Sequence, residues 1–217
     1  MPATDEPDGS DMVQVTALRL RRMPRQARAR EKVARVLEAA ERLLVAEGAD
    51  VLTTTRVAAE SGVSVGALYQ YLPDREAIVE ALADMYLTRL EAAMEAFVEL
   101  ARTETWSDPV TVLVDAFADI YRSEPGFRAL WFGRHLTEWT RQADSKHKRV
   151  MAAGLHRILV AQRLLPDDRE AATACYTAFL AADAVTQDAF RTDAAGDAEL
   201  LGHLKSMLRA YLGHWTR

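Results

Sequence analysis

Residues 53–75 have the sequence TTTRVAAESGVSVGALYQYLPDR, which predicts two short helices joined by a tight turn. Thr54 is the expected N-cap of the first helix, because its hydroxyl can accept a hydrogen bond from a free backbone N–H in the first turn. Gly62 is expected to end that helix, since glycine adopts the left-handed conformation without a side-chain penalty. Ser64 is expected to cap the second helix. Pro73 should end it, because a proline disfavours helical geometry in the residue before it.

The inward-facing residues of both predicted helices form one small apolar face, consisting of Val57, Ala58, Val63 and Leu68. The opposite side carries Thr, Ser, Gly, Ala, Tyr and Gln. This arrangement is typical of a helix-turn-helix, whose second helix enters the major groove of DNA. A surface helical hairpin that binds no DNA has the same spacing, so the spacing alone leaves both interpretations open.

The order of residues in this segment resembles the TetR family of bacterial transcriptional regulators, whose members show the string T..IA..AGVS.GTLY.YF..K. Three positions depart from that string: Leu72 replaces the usual Phe, Arg75 the usual Lys, and Ala67 a common Thr or Ser. The last departure removes one hydroxyl that can contact DNA. The resemblance implies an all-α protein of about nine helices. An N-terminal three-helix, helix-turn-helix DNA-binding domain would precede a C-terminal helical domain for ligand binding and dimerisation.

On this basis we expect a flexible basic arm at residues 1–27, the DNA-binding domain at 28–75 and the helical ligand-binding and dimerisation domain at 76–217. Arg56 and Gln70 are candidates for reading base edges, and Val65 and Ala67 for contacting thymine methyl groups. The resemblance implies phosphate contacts from the tyrosines, the neighbouring threonines and the basic residue that opens helix four. The full set of predicted DNA-binding residues is Thr54, Thr55, Arg56, Ser64, Val65, Gly66, Ala67, Tyr69, Gln70, Tyr71 and Arg75.

The distribution of charge supports a DNA-binding end despite a net charge of −5. Residues 19–35 contain eight basic residues and the single acid Glu31. A basic end on an acidic body orients a protein on the phosphate backbone. The arginines before residue 27 either reach the DNA, as basic arms of other DNA-binding domains do, or belong to a solvated tail.

Several other functions lack a motif in this sequence. There is no Gly-rich phosphate loop, His-Glu-x-x-His motif, nucleophile elbow or cysteine pair, so we expect no enzyme, no cofactor and no metal. No apolar run of about 18 residues predicts a membrane span. Cys175 is the only cysteine, which fits a reducing cytoplasm. The competing interpretation is a helical protein-interaction or small-molecule-binding module that binds no DNA.

The apolar periodicity predicts helix four at about Arg75–Thr103, helix five at about Pro109–Ser123 and helix seven at about Lys146–Gln162. The C-terminal part is rich in apolar and aromatic residues on predicted helices. An internal pocket for a small-molecule effector is implied mainly by the family resemblance, although each aromatic side chain can equally belong to an ordinary core. The candidate ligand-binding residues are Phe117, Tyr121, Phe127, Trp131, Phe132, His135, Trp139, Met151, Tyr176, Phe179 and Asp183. The wide apolar face of the last helix predicts either packing within the subunit or, as the resemblance implies, a homodimer interface. The candidate interface residues are Leu200, Leu201, Leu204, Met207, Leu208 and Tyr211.

These features predict a regulator that binds a double-stranded DNA operator as a homodimer. The operator is expected to be palindromic, because a two-fold dimer contacts two half-sites. As a repressor, it would be released from DNA by a small apolar or aromatic ligand that favours a form with wrongly spaced recognition helices.

Overall fold

The first helix, α1, spans Ala27–Glu47 and buries one apolar stripe that includes Val33, Leu37 and Leu44. It ends at Gly48, whose positive φ of 85° favours glycine. A 3-10 turn, Ala49–Val51, follows. The computed structural model describes residues 27–133 and 136–215. The predicted arm at 1–27 therefore lies outside the described residues, except for Ala27, which is already helical.

The next two helices, α2 (Thr54–Ser61) and α3 (Val65–Tyr69), form the predicted helix-turn-helix. The N-cap of α2 is Thr53, whose side chain accepts a hydrogen bond from the backbone N–H of Arg56, so the prediction that Thr54 is the cap is wrong. Gly62 has the left-handed conformation that ends α2, as predicted. Ser64 caps α3 and accepts from the backbone N–H of Ala67.

The second helix of this pair is shorter than predicted. It ends at Tyr69 instead of Leu72, and residues 70 and 71 continue as a turn. In that turn the backbone N–H groups of Tyr71 and Leu72 both donate to the carbonyl of Leu68, at 2.9 Å each. Leu68 and Leu72 are buried against α1, which fixes how α3 sits on the domain.

The connecting helix α4 spans Arg75–Thr103, 29 residues, and begins at an Asp74 cap that accepts from the N–H of Ala77. At 1.5 Å per residue it is about 43 Å long, so it extends from the helix-turn-helix into the remaining helices. Two helices follow, α5 (Pro109–Ser123) and α6 (Pro125–Trp131). The bounds of α4 and α5 agree with the sequence prediction.

The last three helices are α7 (Glu138–Ala161), α8 (Arg169–Arg191) and α9 (Ala198–Gly213). Helix α7 begins eight residues before the predicted start at Lys146, because Thr137 caps it by accepting from the N–H of Thr140. Helices α4, α7, α8 and α9 pack in sequence, α5 packs on α8 and α9, and α6 contacts α1, α4 and α5.

The part of the chain that the structure describes contains nine α-helices and no strand, which confirms the all-α prediction. None of the described helices is long and apolar enough to cross a membrane.

Candidate nucleic-acid interface and internal cavity

The outer face of α3 presents an exposed surface at the helix-turn-helix. Val65 and Tyr69 are exposed by 36% and 43%, and Gly66 and Gln70 are also exposed. A Cβ atom built on Gly66 meets nothing within 4 Å. The packing of the protein therefore does not require glycine at this position, and the backbone of α3 is open to an approaching partner.

Tyr69 is oriented by a contact with the preceding helix. The Thr54 hydroxyl donates to the Tyr69 hydroxyl oxygen at 3.3 Å, and Thr54 is buried at the start of α2. Thr55 is exposed, and its hydroxyl lies 3.3 Å from that of Thr53. Of the two predicted threonines, Thr55 is the one on the accessible side, whereas Thr54 positions Tyr69.

Two arginines that were predicted to contact DNA form contacts with other residues of the protein. The Arg56 guanidinium pairs with Glu47 at the end of α1, and both side chains remain partly exposed. Arg75 donates to the carbonyl of Ala49 through Nη2 at 2.9 Å and Nε at 3.3 Å. Its guanidinium also lies 3.6 Å from an Asp50 carboxylate oxygen. Arg75 therefore fastens the start of α4 to the turn after α1, and its contact with phosphate stays a prediction.

Two further predicted residues face inward. Ala67 and Tyr71 are partly buried and pack against the core formed by α1 and the helix-turn-helix. Ala67 lines the same small cavity as Val33 and Val36, and its contact with a thymine methyl group stays a prediction. The exposed residues of the predicted set are Thr55, Arg56, Ser64, Val65, Gly66, Tyr69 and Gln70.

The exposed side of α1 is basic near its start. Arg28, Arg30, Lys32 and Arg35 are all exposed, with Glu31 as the acid among them. The predicted contacts of Arg19, Arg21, Arg22 and Arg25 fall outside the described residues. Within the described part of the chain, the basic face of α1 and the outer face of α3 belong to the same N-terminal unit.

The C-terminal helices enclose a cavity of about 100 Å³ between α4, α5, α7, α8 and α9. Four of the predicted ligand-binding residues line it: Phe117, Tyr121, Phe179 and Asp183. Most of the wall is aliphatic, and these residues were not predicted as ligand-binding from the sequence. The missed residues are Met94, Pro109, Val110, Leu113, Val114, Leu155, Leu159, Ala178, Ala182, Thr186, Leu208 and Leu212.

The other predicted ligand-binding residues that the structure describes do not line this cavity. Phe127, Trp131 and Met151 are core residues, with Phe127 and Trp131 stacked at 4.6 Å between ring centroids. Phe132 and Tyr176 lie under the guanidinium groups of Arg191 and Arg149. Trp139 packs against the core. His135 lies outside the described residues.

Asp183, one of the polar residues that line the cavity, belongs to an ion-pair cluster on α7 and α8. Lys148 Nζ lies 2.8 Å from Asp144 Oδ2 and 3.0 Å from Asp183 Oδ2. Gln187 Nε2 donates to both Asp183 oxygens, at 2.9 and 3.0 Å. Burial, then the charges of Asp183 and Asp144, raise the pKa of Tyr121 well above its usual value, so its hydroxyl stays protonated.

A chain of aromatic contacts leads from the cavity to α1. The Tyr121 ring meets Phe127 edge-on at 5.1 Å between centroids, and Phe127 meets Tyr86 edge-on at 5.8 Å. The Tyr86 hydroxyl donates to Glu41 Oε1 on α1 at 2.7 Å. Arg89 lies 3.4 Å from the same Glu41 oxygen. These contacts link the cavity physically to α1, since each residue touches the next.

The predicted dimer residues divide into two groups. Leu201, Leu204 and Leu208 are buried within the subunit, because this face of α9 packs on α5 and α8. They belong to the subunit core, which corrects their assignment to an interface. Met207 is 43% exposed, while Leu200 and Tyr211 are partly buried. On α8, Leu180 is 38% exposed and was not predicted from the sequence.

Polar pairs on the described helices show how the acids and histidines are used. His147 Nδ1 lies 3.0 Å from Glu91 Oε1, linking α7 to α4, while Asp144 pairs with Lys148. Among the described residues no group of three or more His, Cys, Asp and Glu side chains is arranged to hold a metal ion.

Two family profiles match most of the chain. Residues 36–82 match the profile described as bacterial regulatory proteins, tetR family. Residues 104–214 match the profile described as the tetracyclin repressor-like C-terminal domain. A solved structure of a TetR-family transcriptional regulator from Streptomyces coelicolor is similar with a TM-score of 0.62 and 26% identity, covering 86% of this chain and 98% of that one.

Two other relatives are more distant or more partial. A TetR-family regulator from Pectobacterium atrosepticum has the same fold, with a TM-score of 0.60 and 16% identity over 89% of this chain and 98% of that one. The nucleoid occlusion factor SlmA of Actinobacillus pleuropneumoniae is 30% identical over 118 residues, 53% of this chain and 56% of that protein. The match thus spans about half the length of this curated relative.

Proposed function

Because the chain belongs to the TetR family of bacterial transcriptional regulators, we propose that it is a cytoplasmic repressor released from a palindromic operator by a small-molecule effector. Members of this family are transcriptional regulators and not enzymes. The helix-turn-helix is the DNA-binding element of the fold. The observation that carries the proposal is the exposed outer face of α3, which presents Gly66, Tyr69 and Gln70 together.

We assign DNA contacts by accessibility. Gln70 has the amide geometry for a bidentate contact with adenine, and Val65 offers an apolar contact to a thymine methyl group. Tyr69 and Thr55 are assigned to phosphate, with Thr54 holding the Tyr69 hydroxyl. The basic face of α1 supplies a further electrostatic contribution that does not depend on base sequence.

The dimer interface is assigned to the exposed faces of α8 and α9. Leu180 and Met207 supply its apolar anchors, and Leu200 and Tyr211 its partly buried edge. Gly202 and Ala210 are exposed small residues on α9 that allow close approach of a second helix. Two-fold pairing would place one recognition helix at each half-site of a palindrome, one DNA turn or a multiple of it apart.

Effector release is assigned to the aromatic chain between cavity and α1. A ligand that displaces Tyr121 shifts Phe127 and Tyr86, and thereby the Tyr86–Glu41 hydrogen bond that joins α4 to α1. If the ligand binds better to the arrangement with displaced α1, it shifts the population away from the DNA-binding form. The ligand can shift the equilibrium between the two forms only by the difference between its binding free energies for them.

The test is the affinity for a labelled DNA duplex, measured by fluorescence anisotropy over a range of NaCl concentrations. Log affinity should fall linearly with log salt, and Lys32→Gln on α1 should reduce the slope by about 0.9 because one phosphate contact is lost. Lys146→Gln, an exposed lysine on α7, is the matched control and should leave the slope unchanged. Equal slopes for both variants, or no DNA binding by the folded protein, would favour a helical interaction module instead.

A further inference from the structure

The walls of the cavity are almost wholly apolar, which limits what it can bind. Of its 16 lining residues, only Tyr121, Asp183 and Thr186 carry polar side-chain atoms. Asp183 and Thr186 are three residues apart on α8 and therefore share one helix face. A ligand in this cavity therefore needs an apolar body and has room for a single polar head group.

The apolar and polar parts lie at opposite ends of α5. Pro109 and Val110 open α5, and they also line a groove of about 400 Å³ at the surface beside Leu212. Tyr121 is in the last turn of α5, roughly 17 Å along the helix axis from that opening. A ligand that enters through the groove thus meets aliphatic side chains first and the polar residues last.

The charge at the inner end is negative. Asp183 belongs to a cluster with Asp144 and Lys148, two carboxylates and one ammonium group, whose formal charges sum to −1. Lys148 is already bonded to both carboxylates, so its charge is not available to a ligand anion. A carboxylate has about four acceptor sites, and Gln187 and Lys148 occupy three at Asp183. One acceptor site remains for a ligand donor.

From this geometry we infer that the effector is a slender apolar molecule whose single head group is a cation or a neutral hydrogen-bond donor, bound at Asp183, and not an anion. This inference rests on the proposed effector function and names its ligand class. An anionic head would lie beside the Asp183 carboxylate, in a partly buried cluster that already holds a second carboxylate, where like charges repel. A cationic head would restore neutrality to the cluster.

The experiment compares three probes with one body, hexylamine, 1-hexanol and hexanoate, by isothermal titration calorimetry on the DNA-free protein at pH 7.5. Hexylamine should bind most tightly, 1-hexanol less tightly, and hexanoate at least about tenfold more weakly than hexylamine. In Asp183→Asn the preference for the amine over hexanoate should shrink by about tenfold. Asp188→Asn, which removes an exposed carboxylate from the same helix, should retain the wild-type order.

Each result decides the assignment without reference to DNA. Hexanoate binding as tightly as hexylamine, an unchanged order in Asp183→Asn, or no binding of any probe would overturn it. Circular dichroism of each variant establishes that the helices are intact. The protein in the calorimeter carries no DNA. The calorimetry can therefore contradict the inferred ligand class while salt-dependent DNA binding is still observed, and the probes can bind as expected even if the protein binds no DNA.

Discussion

The junction between α1, α4 and α6 contains almost no free space. The absence of a side chain at Gly126 allows this close packing. A Cβ atom built there would overlap the Tyr86 hydroxyl oxygen, and it would lie 3.1 Å from Tyr86 Cζ and 3.3 Å from Glu41 Cγ. Gly126→Ala therefore forces Tyr86 away from α6. Since Tyr86 is buried and its hydroxyl donates to Glu41, the variant both overpacks the junction and breaks that hydrogen bond.

The expected cost follows from these two effects. Overpacking costs about 1–3 kcal/mol, and loss of a hydrogen bond to a charged group about 1.5–3 kcal/mol, so Gly126→Ala should lower the free energy of unfolding by roughly 3 kcal/mol or more. Tyr86→Phe alone should cost about 1.5 kcal/mol through the lost hydrogen bond. The double variant should be more stable than Gly126→Ala, because removing the hydroxyl removes the overlap.

Urea unfolding followed by circular dichroism measures all four proteins of this cycle. The coupling between the two substitutions should be favourable and on the order of 2 kcal/mol, with similar m-values throughout. Gly66→Ala serves as the control glycine substitution, because nothing lies within 4 Å of its Cβ position. Additive effects, or a double variant less stable than Gly126→Ala, would refute the packing described for this junction.

Three further predictions concern separate sites. Burial, and then Glu91, raise the pKa of Asp84 from 3.8 to about 6, and its Oδ2 is buried without a hydrogen bond among the described residues. The folded state thus binds this proton more tightly than the unfolded state, and stability is lost as pH rises from about 4 through 6. Asp84→Asn should therefore be more stable than wild type at pH 7.5, by about 1–2 kcal/mol once the partial exposure of Asp84 is allowed for. The variant should lose this advantage at pH 4. A gain of equal size at both pH values would contradict a raised pKa at Asp84. Gly66→Ala should raise the free energy of unfolding by about 0.5–1 kcal/mol through helix propensity, yet it should weaken DNA binding. An unchanged DNA affinity, measured by fluorescence anisotropy, would show that α3 does not approach DNA at this residue. Burial raises the pKa of the Cys175 thiol to about 12, so it should resist iodoacetamide at pH 8 until urea unfolds the protein, and rapid labelling of the folded protein would contradict its burial.

Helix boundaries were predictable where local chemistry sets them. Asp74 and Asp108 accept from backbone N–H groups in the first turns of α4 and α5, and both helices begin where the sequence places them. Thr53 and Thr54 are both suitable caps; in the structure Thr53 caps α2 and the Thr54 hydroxyl contacts Tyr69 instead. The first turns of α7 were missed because its residues up to Ser145 lack an apolar stripe, although the Thr137 cap was a usable signal.

The sites were less predictable because they depend on which apolar residues face a void and which face each other. Phe117 and Phe127 are both aromatic and both on inward faces, yet Phe117 lines the cavity and Phe127 packs between Tyr86 and Tyr121. The apolar periodicity of α9 identified a buried face but not its partner, which is the subunit's own α5 and α8. Arg75 was predicted to contact phosphate, and no sequence pattern reveals the Ala49 carbonyl to which its side chain donates.

Recognition of DNA by a dimer through α3 can be tested by selecting bound sequences from a random double-stranded DNA pool at near-physiological salt. Wild type and Tyr69→Ala are compared in parallel. Wild type should enrich a palindrome whose half-sites are about 10–10.5 base pairs apart or a multiple of that spacing, and Tyr69→Ala should bind the selected sequence more weakly. Recovery of no common sequence by the folded wild-type protein, or of an asymmetric site bound equally by both proteins, would contradict a dimeric regulator that recognises DNA through α3.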